Sequence, residues 1–123
     1  WITWVVARHQ ETRQVVVFVN THFVSGAWNT KPKPHKAWRQ HVWTDHWQAL
    51  RDTVAGAAAK WPVVVVGDFN RITVTPFADF AWIDNRGIDK IAAYGLTGTS
   101  PRRILTRSDH DARAVELTLG DAA

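Results

Sequence analysis

The stretch that decides the fold is WPVVVVGDFN, residues 61–70. The four valines at 63–66 show no alternation of apolar and polar residues, which is typical of a strand covered on both faces. Trp61-Pro62 ends the segment before it, because a residue that precedes proline is disfavoured in a helix. The sequence therefore predicts a central β-strand at 63–66 that leads directly into the polar residues Asp68 and Asn70.

Upstream of this strand, the pattern predicts two strands and one long helix. Segments 1–7 and 14–20 are rich in β-branched and aromatic residues and flank a polar stretch, which predicts an antiparallel pair. Segment 26–36 contains glycine, asparagine and two prolines and predicts an exposed loop. Across 38–60 apolar residues recur at spacings of four and three, so we expect a helix with one buried stripe. That stripe consists of Trp43, Trp47, Leu50, Val54 and Ala57.

Downstream of the valine strand the elements are less regular. We expect a loop or short helix up to residue 82, a strand at 88–94, a polar turn region at 95–103 and a last strand at 114–119. Strands dominate, and a single long helix covers only one face of their sheet. We therefore predict an α+β domain over residues 1–123 with one mostly antiparallel sheet, whose second face something else must cover.

The composition fits one folded domain and limits its chemistry. Hydrophobic residues make up 46% of the 123 residues, which is enough for a core. The longest aliphatic run is far shorter than the roughly 18 residues of a membrane span, so we expect a soluble protein and leave its compartment open, secretion included. The absence of cysteine excludes disulfides, thiolate metal sites and cysteine nucleophiles. The formal charge of +4 favours polyanionic partners such as nucleic acid.

Two short motifs combine residue types that can act on phosphate esters. Asn20-Thr21-His22 ends the second predicted strand, where Asn20 and His22 share a face because residues two apart point the same way. Gly67-Asp68-Phe69-Asn70 follows the valine strand and offers a carboxylate for a cation or water and an amide donor for a phosphate oxygen. The alternative interpretations are a capped core histidine for the first motif and an Asx turn for the second.

A third motif, Ser108-Asp109-His110, precedes the last predicted strand. An adjacent Asp and His on a loop can aim a metal-binding carboxylate and a general base at one point, whereas the alternative is a turn capped by the Asp. Asp89 is a candidate to orient the imidazole of His110. Asp84 competes for that role, and we prefer Asp89 because the better strand follows it. The stretch before the motif is basic, with Arg102, Arg103 and Arg107.

The order Asn-Thr-His, Gly-Asp-Phe-Asn, Ile-Asp-x-Ile at 88–91 and Ser-Asp-His resembles the endonuclease/exonuclease/phosphatase superfamily. That superfamily includes DNase I-like nucleases, apurinic endonucleases, sphingomyelinases and inositol polyphosphate phosphatases. The resemblance spans residues 15–119 and implies the C-terminal half of a four-layer α/β/β/α sandwich. It also implies a divalent-metal-dependent phosphodiester hydrolase, for which a nuclease is the preferred interpretation.

The resemblance assigns roles to the motif positions residue by residue. It implies that His110 acts as general base or electrostatic stabiliser and that Asp89 orients it. It implies further that Asp68 positions the attacking water. These three residues would carry the chemical step.

The remaining roles concern the substrate and the metal ion. The resemblance implies that Asn70 and His22 stabilise the phosphoryl oxygens and that Asp109 lies beside a Mg²⁺ or Mn²⁺ ion. We add Asn20 and Arg107 as candidate substrate-binding residues. A noncatalytic structural or binding remnant of the fold is the alternative class, and a phosphomonoesterase or a sphingomyelinase-like enzyme is the alternative activity.

Two features depart from the superfamily pattern. Its main metal-binding Glu and the accompanying Asn belong to the N-terminal half, and Glu11, in a predicted turn, is no substitute. Only 19 positions (89 − 70) separate Asn70 from Asp89, which is a short connection for this superfamily. The sequence also contains no Met. We therefore expect upstream residues, weak Mg²⁺ binding by this chain alone, and a partner for the sheet that is either the N-terminal half or a second copy.

The loop before the helix is basic and aromatic. Its members are Trp28, Lys31, Lys33, Lys36, Trp38 and Arg39. Such a loop can hold a polyanion and stack on bases, or it can be a solvated loop whose tryptophans pack on the core. The pair His41 and Asp45, one turn apart on the helix, is interpreted as a solvated pair.

Overall fold

The computed structural model describes residues 1–28, 33–77 and 79–120. Its main strands are β1 (Ile2–Arg8), β2 (Val15–His22), β3 (Val63–Asp68), β4 (Ala81–Asp84) and β5 (Asp89–Tyr94), and its helix is α1 (Lys36–Ala58). These strands form one sheet in the order β1-β2-β3-β5-β4. Only β2 and β3 pair in parallel, and the other neighbours are antiparallel. The predicted combination of one long helix with a mostly antiparallel sheet is therefore confirmed.

The valine strand is central, as its unbroken apolar run predicts. β3 is the third of five strands, and Val63, Val64 and Val65 are buried. Val63 and Val65 pack into the core that includes residues of the helix, and Val64 packs into a second cluster on the opposite face, so both faces of β3 are covered. The strand ends at Asp68, so the change from apolar to polar residues coincides with the edge of the sheet.

Helix α1 connects β2 to β3 and covers one face of the sheet. Its buried residues are Trp43, Leu50 and Val54, three members of the predicted stripe. The indole N–H of Trp43 donates a hydrogen bond of 2.8 Å to the carbonyl oxygen of Phe69, which ties the helix to the segment after β3. The described part of the chain contains no helix that is both long enough and apolar enough to cross a membrane.

The second face of the sheet is covered in part by the chain itself. Two short strands, β6 (Leu96–Gly98) and β9 (Leu117–Leu119), pair with each other and pack over Val16, Val64 and Ile91. Towards β1 the same face stays open, with Phe18 38% and Val5 59% exposed. The chain itself thus covers part of the face over which we expected a partner to pack.

The secondary structure from β4 onwards differs most from the elements predicted by the sequence. Segment 95–103 was predicted as a turn, but it contains β6 and the start of β7 (Arg102–Ile104). The predicted last strand at 114–119 is two strands, β8 (Ala112–Ala114) and β9, which pair with β7 and β6 respectively. Residues up to 82 were predicted as a loop or short helix, yet β4 begins at Ala81. Strands of three or four residues are too short to show a period of two.

Candidate active site

Three neighbouring strands contribute one residue each to a polar row at one edge of the sheet. His22 is the last residue of β2, Asp68 is the last residue of β3, and Asp89 is the first residue of β5. The register places His22 beside Asp68 and Asp68 beside Asp89, so their side chains leave the same face. His110, on the loop between β7 and β8, completes the row, whose order is imidazole, carboxylate, carboxylate, imidazole.

The Asp89 carboxylate holds the ring of His110. Nδ1 of His110 donates to Oδ2 of Asp89 at 2.9 Å and to Oδ1 at 3.1 Å. The structure therefore pairs His110 with Asp89 and not with its rival Asp84, which binds Arg86 instead. Since Nδ1 is occupied, Nε2 is the ring nitrogen left to act on a substrate.

Asp68 is held by a turn that also presents it to the row. The backbone N–H of Asn70 donates to Oδ1 of Asp68 at 2.7 Å, and Nδ2 of Asn70 donates to Oδ2 at 3.1 Å. This arrangement is the Asx turn given as the alternative interpretation of the motif, and it leaves the Asp68 carboxylate in the row. Nε2 of His22 lies 3.7 Å from Oδ2 of Asp68 on the other side.

The structure changes the role predicted for Asn70. Its Nδ2 also donates to the carbonyl oxygen of Phe23 at 3.0 Å, and the residue is 5% exposed. An amide nitrogen carries two protons, and both are already donated within the chain. No donor of this side chain remains for a phosphoryl oxygen, so the geometry makes Asn70 a residue that orients Asp68.

Gly67 sets the distance between β2 and β3 at the site. A Cβ at this position would overlap the backbone oxygen of Thr21 and lie 2.9 Å from its carbonyl carbon. Only glycine lets the two backbones approach this closely. The close approach brings His22 and Asp68 side by side.

Two of the four residues in the row have shifted pKa values. Burial raises the pKa of Asp68, the Asn70 backbone N–H opposes that rise, and the charge of Asp89 adds to it, so the value lies above the ordinary range. The hydrogen bond and the charge of Asp89 raise the pKa of His110 above its ordinary value. Asp68 is thus a better proton acceptor than an exposed Asp, and His110 keeps its proton to higher pH.

Two residues of the row, Asp89 and His110, line a cavity of about 460 Å³. Its wall includes Asn20, Asp89 and His110, which the sequence singled out, together with Thr106 and Arg113, which it did not. Within the described residues, the carboxylate and imidazole atoms of Asp68, Asp89 and His110 lie within 4.8 Å of one another and could hold a metal ion.

Two predicted residues lie apart from this group. Asp109 is exposed and accepts a hydrogen bond of 3.1 Å from Ser108 Oγ, and it is not part of the group that could hold a metal. Arg107 is exposed and does not line the cavity. The resemblance suggested Asp109, and Arg107 was added from the sequence, but the loop directs His110, and not these two residues, into the row.

The basic loop before α1 shows mainly structural contacts. Arg39 donates to the carbonyl oxygens of Pro34 at 3.1 Å and Ser25 at 3.0 Å, so its guanidinium closes the loop. Trp28 lies edge-on to Trp43, with ring centroids 6.0 Å apart. Trp38 is 58% exposed, and Lys31 lies outside the described residues.

Sequence reasoning missed two residues, His46 and Lys90, that form hydrogen bonds beside the row. Nε2 of His46 in α1 shares a hydrogen bond of 2.9 Å with the hydroxyl of Thr21, and burial is the main cause of the lowered pKa of His46. Lys90 is buried, and its Nζ donates to the Ile72 and Gly87 carbonyl oxygens and to Asn85 Oδ1 at 2.6–2.8 Å. His46 lies in no motif and Lys90 fills the unspecified position of the Ile-Asp-x-Ile motif, because both act through contacts made only after folding.

The comparisons with known proteins give a likeness of fold. No protein-family model matches the sequence, and neither does any curated protein. A conserved protein of unknown function from Enterococcus faecalis V583 has a TM-score of 0.75 at 14% identity, over 97% of this chain and 56% of that chain. A mannosyl-6-phosphatase from Bacteroides thetaiotaomicron VPI-5482 has a TM-score of 0.61 at 15% identity, over 96% and 57%. An endonuclease/exonuclease/phosphatase family protein from Bacteroides thetaiotaomicron has a TM-score of 0.50 at 13% identity, over 93% and 50%.

The chain shares the fold of the endonuclease/exonuclease/phosphatase superfamily. It spans about half the length of the solved structures that it resembles. The likeness concerns the fold alone, and the row lies on that fold.

Proposed function

We propose that this chain forms part of a divalent-metal-dependent phosphodiester hydrolase and that its substrate is a nucleic acid. The observation that supports this best is the row of His22, Asp68, Asp89 and His110, in which Asp89 and His110 line a cavity. Hydrolysis of a phosphodiester needs an acceptor for the proton of water and positive charge near the phosphoryl oxygens. In the row, the carboxylates can accept the proton, and the imidazoles can provide the positive charge when they are protonated. The net charge of +4 favours a polyanionic substrate.

The geometry suggests a division of roles within the row. Asp68, whose pKa is raised, orients the attacking water and accepts its proton. Asp89 raises the pKa of His110, so the ring keeps its proton to higher pH than an ordinary histidine, and in that form its Nε2–H stabilises the negative charge on the phosphoryl group. His22, which is half exposed beside Asp68, is placed to donate to a second phosphoryl oxygen.

The donor atoms of the row fit a hard divalent cation in part. Asp68 and Asp89 offer carboxylate oxygens, the ligands that Mg²⁺ and Mn²⁺ prefer. The imidazole of His110 fits less well, because its Nδ1 already donates to Asp89. When bound, the cation supplies Lewis-acid stabilisation of the phosphate. We propose that Asp68 and Asp89 contribute to its site, with Asp109 as a more distant carboxylate.

We also propose that the active protein contains a further element beside this chain. The open part of the second face, with Val5 and Phe18, leaves apolar surface in water, which costs roughly 25 cal/mol per Å². An N-terminal half or a second copy of the chain would cover it, and an N-terminal half would also supply the additional metal-binding Glu. The chain alone is then expected to bind Mg²⁺ weakly.

The proposal is tested by phosphodiesterase assays on a bis-aryl phosphodiester and on plasmid DNA, with and without EDTA. Replacing His110 or Asp68 by Ala is expected to abolish metal-dependent hydrolysis while the protein stays folded. His41→Ala is the matched control, since His41 also pairs with a carboxylate, Asp45 at 3.2 Å, on an exposed part of α1. Parental activity in His110→Ala, or equal loss in His41→Ala, contradicts the mechanism.

A second candidate activity is phosphomonoester hydrolysis. One structure with this fold is a mannosyl-6-phosphatase, and monoesters and diesters place the same phosphoryl oxygens before the row. An aryl phosphomonoester in the same assays separates the two activities. The chain is assayed together with its further element. If that combination shows no metal-dependent hydrolysis of any of these substrates, the chain is a noncatalytic remnant of the fold.

A further inference from the structure

Asp84, outside the row, is a buried acid with two cationic partners. Its side chain is fully buried, and a buried carboxylate is costly unless it is paired. Its Oδ1 accepts from the backbone N–H and Nε of Arg86, both at 3.1 Å, and Arg86 Nη2 lies 3.4 Å from its Oδ2. Nη1 of Arg113 lies 3.9 Å from the same Oδ2. We call Asp84, Arg86 and Arg113 the arginine clamp.

The inward direction of Asp84 follows from a local irregularity of β4. Trp82 is paired with Ala92 and Asp84 with Ile91, so one residue of β4 is extra and forms a β-bulge. A bulge changes the direction in which the following side chain points. The carboxylate of Asp84 consequently meets the two guanidinium groups under the β7–β8 hairpin.

The β7–β8 hairpin depends on such side-chain contacts for its position. Its two strands form a separate sheet and share no ladder with the five-stranded sheet. The clamp contacts the hairpin on both sides. Arg86 Nη2 donates to the carbonyl oxygen of Pro101, just before β7, at 3.1 Å, and Nη2 of Arg113, in β8, donates to the carbonyl oxygen of Arg86 at 3.3 Å.

The loop that carries His110 is tied to the hairpin by its own bonds. Thr106 Oγ1 donates to the carbonyl oxygen of His110 at 2.7 Å, and Arg103 of β7 pairs with Asp111. The loop and hairpin therefore move together. Their position over the sheet decides whether His110 reaches Asp89.

We propose that the arginine clamp is a positioning device that sets His110 against Asp89. The role of this contact in hydrolysis rests on the proposed function, whereas the positioning itself does not. Asp84 and Arg86 of the clamp lie with Asp89 at the β4–β5 connection, which Lys90 fixes through Asn85 and Gly87. Holding the hairpin to that connection fixes the donor and the acceptor of the His110–Asp89 bond relative to one another.

The test measures the position of the loop directly. The chain has no cysteine, so a single nitroxide label on Leu105→Cys, an exposed position in the loop, reports the distance to β5 through paramagnetic broadening of the Lys90 and Ile91 amide signals. The clamp is removed by Asp84→Asn or Arg113→Met and kept in part by Arg113→Lys. Arg102→Met is the matched control, because it removes an exposed arginine from the same hairpin, 3.9 Å from Glu116.

We expect strong broadening at β5 in the parent and in Arg102→Met, weaker broadening in Arg113→Met and Asp84→Asn, and an intermediate value in Arg113→Lys. Unchanged broadening in the folded Arg113→Met protein overturns the proposal, even if its melting temperature falls. If Asp84→Asn does not fold, the two Arg113 variants still decide the outcome. In the hydrolysis assay the clamp variants should lose kcat with little change in KM. A parent without hydrolysis even when combined with its further element would count against the proposed function and leave the broadening result to judge the clamp.

Discussion

The closest backbone approach at the site leads to a prediction about Gly67. A Cβ in Gly67→Ala would lie 2.9 Å from the carbonyl carbon of Thr21, whereas ordinary contact begins at 3.4 Å. The strands must therefore separate by at least 0.5 Å (3.4 − 2.9), and by more at the Thr21 oxygen, which the Cβ overlaps. Overpacking of this kind costs about 1–3 kcal/mol. The separation also moves His22 from Asp68, and since a misplacement of about 1 Å can cost 10²-fold in rate, we expect a loss of about tenfold to hundredfold.

The measurements are urea unfolding and the phosphodiesterase assay on Gly67→Ala. Gly56→Ala is the control, because Gly56 lies in α1 with no atom within 4 Å of its added Cβ. In a helix that change should stabilise the protein by about 0.5–1 kcal/mol. If Gly67→Ala were as stable and as active as the parent, the close approach of β2 and β3 would not be what aligns the row.

Three further predictions concern buried and titrating groups. Lys90→Met should lower the free energy of unfolding by about 2–3 kcal/mol, because three acceptors lose their donor; a chemical-denaturation curve like that of the parent would contradict this. Burial acts to raise the pKa of Asp84, but the Arg86 hydrogen bonds lower it more, so its stabilisation is present above the unfolded pKa and is lost as pH falls through the folded one. Urea midpoints between about pH 6 and about pH 3 should then fall less in Asp84→Asn than in the parent. The hydrolysis rate should fall at low pH as Asp68 is protonated, at a higher pH than for an ordinary Asp, and at high pH as His110 loses its proton, at a higher pH than for an ordinary His; a rate that is flat through both limits excludes these roles.

The sequence predicts the elements with a strong period and misses the short ones. The valine run and the Trp stripe define β3 and α1, because each extends over enough residues for its pattern to be distinct. The three-residue strands β6 to β9 owe their structure to their partners, and no local pattern reveals such pairing. The orientation of the Asn70 amide is equally nonlocal, since one of its acceptors, Phe23, lies 47 positions away in the chain.

The row itself follows from chain topology as much as from the motifs. β2 and β3 run in parallel, so the residues that end them, His22 and Asp68, reach the same edge of the sheet. β5 runs antiparallel to β3, so its first residue, Asp89, starts at that edge. Motifs at two strand ends and one strand start therefore meet only if the middle strand has one parallel and one antiparallel neighbour. His110 arrives from a separate hairpin and has no such constraint, which is why its position requires contacts, such as those of the arginine clamp, that no motif in the sequence indicates.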